Sequence, residues 1–254
     1  MKLKLPLLYL SLGFFLCFSC SSNSQMDEDE KEMEIKDDTK TDDDDTTTPN
    51  KNFLKILSLG DSYTIGESVC ETCRFPEQLK DSIIEKIGNP DVALKVIAQT
   101  GWTTGVLKSA IEAQTISNDY DLTTLLIGVN NQYQGADFEV FEKELPELIT
   151  KAISFSKGDI KKIIVVSIPD YAFTPFGNGN DLISKDIDKY NNFIENYCKQ
   201  YSITYIYITD ITRQGLDQPD LVASDRLHPS TQAYTQFVSR MLPAALEKIG
   251  YTNE

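Results

Sequence analysis

The stretch Phe53-Leu54-Lys55-Ile56-Leu57-Ser58-Leu59-Gly60 decides the architecture of this chain. It is a short, almost unbroken apolar run closed by a glycine, the pattern of a strand buried on both faces. Such strands belong to parallel sheets covered by helices on either side. Downstream, Leu79, Ile83, Ile84 and Ile87 recur at helical spacing across 76–87, and Gly88-Asn89-Pro90 stops that helix. Residues 92–98 read as a second strand. Thr103 is placed to cap a helix that carries Val106, Leu107, Ala110 and Ile111 on one face. The same alternation continues with a strand at 122–127 and a helix at 138–155 whose stripe is Phe138, Phe141, Leu145, Leu148 and Ile149. A strand at 163–168, a helix at 187–201, a strand at 203–208 and a last helix at 231–249 follow. Strand and helix alternate five times with no internal repeat. The expectation for 52–254 is therefore one three-layer α/β/α sandwich with a five-stranded parallel sheet and right-handed crossovers.

Upstream of this domain the chain changes character twice. Residues 1–20 open with Lys2 and Lys4, continue as an apolar run from Leu5 to Phe18, and end in Ser19-Cys20. Basic start, apolar run and small residues are the parts of a secretory signal, and the run is too short for a bilayer span of roughly 20 residues. Cys20, followed by Ser21-Ser22-Asn23-Ser24, resembles the lipidated cysteine of bacterial lipoproteins, although Cys17 stands where that pattern usually has Leu. Residues 21–50 hold 12 acidic and 3 basic side chains without apolar periodicity. Like charges extend such a segment, so 21–51 is expected to be a disordered tether. An acidic run after a lipidated cysteine also resembles the surface-export signals of Bacteroidetes-type lipoproteins; a plain solvated spacer is the alternative. The expected location is outside the cytoplasm, lipid-anchored to a bacterial membrane, at the outer membrane or cell surface.

Charge and histidine content narrow the chemistry. The chain carries 24 Lys and Arg against 39 Asp and Glu, a net charge of −15, which repels nucleic acid. Most of that imbalance lies in the acidic segment, at −9, and in the rest of the chain, at −8, offset by the two lysines at the start. The single histidine, His228, excludes a multi-histidine metal centre, and with five cysteines it makes a closed structural zinc site awkward. No metal or cofactor is expected, and any imidazole acid–base chemistry falls to His228.

In sheets of this type ligands bind beyond the carboxyl ends of the strands. Gly60-Asp61-Ser62-Tyr63-Thr64 follows the first strand and Thr100-Gly101-Trp102 the second. Gly128-Val129-Asn130-Asn131 follows the third, and Asp225-Arg226-Leu227-His228-Pro229 precedes the last helix. A hydroxyl, a glycine N–H, an amide and a carboxylate–imidazole pair thus converge on one edge. These four segments, in this order, resemble the SGNH (GDSL) hydrolase family across essentially all of 52–254. The resemblance implies a flavodoxin-like three-layer fold and metal-free hydrolysis of esters and related acyl bonds.

On that resemblance Ser62 is the nucleophile, His228 its base and then general acid, and Asp225 the carboxylate that fixes the ring tautomer. The oxyanion hole is formed by the Ser62 N–H, the Gly101 N–H and the Asn130 amide. Tyr63 stands where the family usually has Leu and Asn131 where it usually has Asp. Tyr63, Trp102 and Asn131 are expected to line the substrate site, with packing beside the sheet as the alternative for the two aromatics. Blander readings also remain, with Ser62 as a helix cap, His228 as a surface residue and Asn130 as a turn former. Cys70 and Cys73 suit a small structural disulfide in an exported chain, with a redox pair as alternative. Cys198 reads as a helix residue, and a cysteine protease pairing it or Cys70 with His228 would leave the four segments unexplained.

The activity implied is removal of short, acetyl-type acyl groups from a small-molecule or carbohydrate ester. The alternatives are a lysophospholipase or thioesterase of the same family, or a non-catalytic glycan-binding lipoprotein. The expected partners are the ester substrate and a membrane reached through the lipid anchor, with no nucleic acid, and the expected state is a monomer.

Overall fold

The structure, a computed structural model, describes residues 53–88 and 91–251. The expected signal segment, the lipidation at Cys20, the acidic tether and the Asn89-Pro90 helix stop lie outside the described residues.

Among the described residues five strands form one all-parallel sheet: β1 (Phe53–Gly60), β2 (Asp91–Ala98), β3 (Leu122–Leu126), β4 (Ile163–Val166) and β5 (Thr204–Ile206). Their order is β2-β1-β3-β4-β5. The helices are α1 (Ser62–Ile65), α2 (Phe75–Ile87), α3 (Thr104–Glu112), α4 (Val129–Tyr133), α5 (Phe138–Phe155), α6 (Asp181–Gln200), α7 (Thr209–Thr212) and α8 (Thr231–Lys248). The chain runs from β1 outward to β2, then crosses back to β3 on the other side of β1. That reversal opens a crevice between β1 and β3 at their carboxyl ends. Register sharpens it: Gly60 pairs with Ala98 on one side and Leu126 on the other, so the three strands end level.

Two helical layers cover the sheet. α2 pairs with α8, where Thr235 Oγ1 donates to Gln78 Oε1 at 2.8 Å and the Phe75 and Tyr234 rings meet at 6.4 Å. α3, α5 and α6 lie side by side: Thr104 Oγ1 donates to Glu144 Oε2 at 2.6 Å, and Phe141 packs on Tyr190 at 4.6 Å between centroids. The buried stripe of α5 is Phe141, Leu145, Leu148, Ile149 and Ala152. Each large apolar side chain in such a core contributes about 1.5–3 kcal/mol. The buried hydroxyls of β3 are satisfied, Thr124 donating to Ser58 Oγ at 2.9 Å and Thr123 pairing with Ser156 Oγ at 2.7 Å.

Departures from the sequence expectation have local causes. α6 begins at Asp181, earlier than the apolar pattern indicates, because Asn180 caps it by accepting from the Leu182 N–H and its first turn leaves Leu182 in solvent. β4 ends at Val166 because Ser167 turns its Oγ to accept from the Ile208 N–H at 2.8 Å and the Thr209 N–H at 3.2 Å. α1, α4 and α7 are too short to show periodicity, and each follows a strand end. Gly60 is required by close approach. A Cβ there would lie 2.0 Å from Thr64 Oγ1 and 2.4 Å from the Leu126 carbonyl oxygen. Only glycine therefore lets α1 fold directly onto the end of β1.

Candidate active site

Ser62 opens α1 immediately beyond β1. Asp61 caps that helix, its Oδ1 accepting from the Tyr63 N–H at 3.0 Å. Asp61 has no exposed surface, and burial pushes its carboxyl up to about 7 in spite of hydrogen bonds from the backbone and a weaker, long contact from Asn130. Burying a carboxyl directly beneath the serine makes this strand end a stiff platform.

His228 arrives from the opposite end of the chain. The loop that bears it is closed on itself, with Val222 bridging Pro229 and the Ala223 N–H donating to the His228 carbonyl at 2.7 Å. Asp225 Oδ2 lies 2.6 Å from His228 Nδ1, while Asp225 Oδ1 accepts from the Leu227 and His228 N–H groups at 2.9 and 3.0 Å. Oδ2 also accepts from Ser68 Oγ at 2.7 Å. Burial alone would raise the Asp225 carboxyl. The donors from Ser68, His228 and the backbone outweigh it and hold the group at about 2. An ionised Asp225 on Nδ1 leaves Nε2 as the ring's working nitrogen. Tyr63 packs its ring on His228 at 5.2 Å between centroids. Ser62 and His228 face one cavity without a direct hydrogen bond between them among the described residues, an open geometry common in catalytic pairs before substrate binds.

Three residues with candidate donors border the same cavity. Ser62 stands at a helix start, where the first N–H groups lack helical partners. Gly101 sits at φ +82°, a left-handed conformation that favours glycine, and a Cβ there would meet nothing of the protein. Its carbonyl, on the following peptide, accepts from Gln134 Nε2 at 2.8 Å. Among the described residues no protein acceptor takes the Ser62 or Gly101 N–H. Asn130, in the first turn of α4, donates from Nδ2 to the Trp102 carbonyl at 3.1 Å and lies 3.5 Å from Asp61 Oδ2. The second contact is too long to occupy that hydrogen firmly.

The cavity these groups share has a volume of about 180 Å³. Its floor is Ser62, Gly101, Asn130 and His228, and its walls are Tyr63, Thr100, Val129, Tyr133, Tyr171, Phe176 and Leu227. The lining contains no Asp, Glu, Lys or Arg side chain. Tyr133 and Phe176 are 55 % and 50 % exposed and meet at 6.1 Å between centroids, with Tyr171 packed beneath both. Tyr171 is anchored by donating to Gln132 Oε1 at 2.8 Å.

Two of the expected substrate residues sit elsewhere. Asn131 is buried, its Oδ1 accepting from the Thr104 N–H at 3.0 Å and its Nδ2 donating to Thr104 Oγ1 at 2.7 Å. It ties α4 to the start of α3 and does not line the cavity. Trp102 packs half-buried against the core and contributes only its carbonyl, as the acceptor for Asn130. Tyr63 does line the cavity. Sequence reasoning missed Tyr133, Tyr171 and Phe176. The last two lie in the segment after β4, a strand end to which the same positional rule applies but which carries no motif. Ser68 gave no signal in the sequence at all.

Cys70 and Cys73 are joined in a disulfide. Cys198 is buried in α6, and burial pushes its thiol up to about 12, so no reactive thiolate forms there.

Comparisons with known proteins agree on the scaffold. A family model described as the GDSL-like lipase/acylhydrolase family matches residues 58–236. No curated protein matches the chain significantly. Among solved structures, an acetylxylan esterase from Geobacillus stearothermophilus is 20% identical with a TM-score of 0.58, over 80% of this chain and 97% of that one. A lipolytic G-D-S-L family protein from Veillonella parvula is 19% identical with a TM-score of 0.57, over 75% and 97%. TesA is 14% identical with a TM-score of 0.60, over 77% and 99%. At these identities the likeness is one of fold.

Proposed function

Since the chain belongs to the GDSL-like lipase/acylhydrolase family and is a hydrolase of that family, we propose that it removes short, acetyl-type acyl groups from a neutral alcohol such as a carbohydrate. The observation that carries this reading is the meeting of Ser62, the Asp225–His228 pair and the Gly101 and Asn130 donors on one cavity. In the proposed reaction Ser62 Oγ attacks the acyl carbon as its proton passes to His228 Nε2. Negative charge develops on the carbonyl oxygen and is met by the Ser62 and Gly101 N–H groups and the Asn130 amide. One such donor is worth about 3–4 kcal/mol of barrier. The alcohol leaves with the proton from His228. Water, deprotonated by the same ring, then attacks the acyl-serine; the Ser62 Oγ–acyl bond breaks, Oγ takes the proton back from His228 and the carboxylic acid is released.

Size and charge support the substrate class. A cavity of about 180 Å³ suits a short acyl group better than a long alkyl chain. Its uncharged lining favours a neutral leaving alcohol over a phosphorylated one, which would call for Arg or Lys. The half-exposed faces of Tyr133 and Phe176 offer an apolar platform for the ring of a sugar. The chain is further proposed to act outside the cytoplasm, held to a membrane through lipid on Cys20. No helix among the described residues is long and apolar enough to cross a membrane.

The test is an acyl-length series from acetyl to octanoyl p-nitrophenyl esters, run on the full chain beside acetylated oligosaccharides, with Ser62→Ala as blank. The expected result is highest kcat/KM for acetyl and a loss of at least a thousandfold in Ser62→Ala. A variant as fast as the parent sinks the mechanism, and a preference for octanoyl sinks the substrate class.

A further inference from the structure

The mechanism above leaves one contact unused. Ser68, between α1 and α2, reaches 157 positions along the chain to donate its hydroxyl to Asp225 Oδ2 at 2.7 Å, the same oxygen that holds His228 Nδ1. Asp225 is more open than His228, with 29 % of its side chain accessible against 9 %, so its outer edge is where water competes for the carboxylate. Ser68 occupies that edge.

The backbone at Ser68 is unusual. Its φ is +66°, a left-handed conformation that costs a serine on the order of 1 kcal/mol and that a glycine would adopt freely. The surrounding loop is pinned from three sides. Gly66 turns against Arg74, where a Cβ would lie 2.5 Å from the Arg74 Cβ. Glu67 accepts a hydrogen bond from Thr100, beside the cavity. Cys70 and Cys73 are crosslinked two residues further on. A strained serine, held by a stapled loop, thus presents its hydroxyl to one oxygen of a distant carboxylate.

We propose that Ser68 is a positioning residue for the Asp225–His228 pair: it fixes the carboxylate so that the imidazole keeps the tautomer and orientation that Ser62 requires. The assignment rests on the roles given to Ser62 and His228 above. Ser68 touches neither substrate nor the ring; it acts through Asp225. The carboxylate keeps its backbone donors from Leu227 and His228 on Oδ1, so loss of Ser68 loosens the pair without dismantling it.

The test uses Ser68→Gly, which deletes the hydroxyl and relieves the left-handed backbone. The expected result is a three- to tenfold fall in kcat with KM unchanged and a melting temperature equal to or above that of the parent. A merely structural serine would instead lower stability, or leave kcat untouched. In an Asp225→Asn background Ser68→Gly should have no further effect, because the path through the carboxylate is already broken. A second readout needs no substrate. His228 is the chain's only histidine, so on protein without a histidine tag its low-field Nδ1 proton resonance is identified without assignment. That proton should exchange with water faster in Ser68→Gly. An unchanged kcat in an active parent, an equal fall in the Asp225→Asn background, or an unchanged Nδ1 resonance overturns the proposal. Ester turnover that survives Ser62→Ala overturns the esterase reading instead, and leaves the resonance to decide Ser68.

Discussion

Asp61→Asn isolates the energetic cost of the carboxyl buried beneath Ser62. The asparagine side chain keeps an oxygen for the Tyr63 N–H, so the α1 cap survives; the titrating group is lost together with the long contact from Asn130 Nδ2, which is the same at every pH. In the folded protein burial raises Asp61 from 3.8 to about 7. Unfolded, the same carboxyl titrates at its ordinary value. Between those two pH values the folded state holds a proton that the unfolded state has released, so stability falls as pH rises through the window. A gap of roughly three pH units at about 1.4 kcal/mol each gives a total of about 4 kcal/mol, of which about 3 kcal/mol falls between pH 4.5 and 7.5. Asp225 has the opposite sign. Held at about 2, it adds stability above its ordinary value and loses it as pH falls toward 2, but it is present in both proteins and cancels in the difference. Urea unfolding at half-unit pH steps, followed by far-UV circular dichroism and by the fluorescence of the single tryptophan, Trp102, gives the two stability curves. The parent-minus-variant difference should fall by about 3 kcal/mol across that range. Two parallel curves would show that Asp61 titrates alike folded and unfolded, and the account of its burial would be wrong.

Two further outcomes follow from the same geometry. Asn131→Ala leaves the buried Thr104 N–H without its acceptor and should cost about 1–3 kcal/mol in urea unfolding while KM for an acetyl ester stays within twofold; a raised KM at unchanged stability would return Asn131 to the substrate site. Cys20→Ala should abolish incorporation of labelled fatty acid in cells and release the protein to the soluble fraction, and a variant that labels like the parent removes the anchor from this reading.

The fold was legible where burial and periodicity coincide. The inner strands β1 and β4 announce themselves as apolar runs because both of their faces are covered, and α5 because its stripe is unbroken. α6 was legible only from Ile187 onward, since a helix start held by Asn180 and facing solvent leaves no apolar signature. The candidate site was legible to the extent that it is made of chemistry-bearing residues at strand ends. Ser62, Gly101, Asn130 and His228 all line the cavity, and Asp225 stands behind the ring. The wall was less legible, because a residue that shapes a pocket needs no particular reactivity. Phe176 and Tyr171 look like any aromatic residues in a loop, and Asn131, one position from Asn130, points into the scaffold because successive residues of a helix diverge by about 100°. Ser68 was illegible for another reason: its partner lies at the far end of the domain, and nothing local in either segment names the other.

Ser62, the proposed nucleophile, follows the first strand of the sheet, whereas His228 and Asp225, its proposed base and carboxylate, follow the fifth. Nearly the whole domain must be made before the two can meet. A nascent polypeptide therefore carries the serine with no imidazole until its closing segment emerges, and on the proposed roles prematurely terminated products should be inert. The same holds for fragments trimmed from the carboxyl terminus back past His228. Residue order alone would thus postpone hydrolysis until synthesis has passed His228.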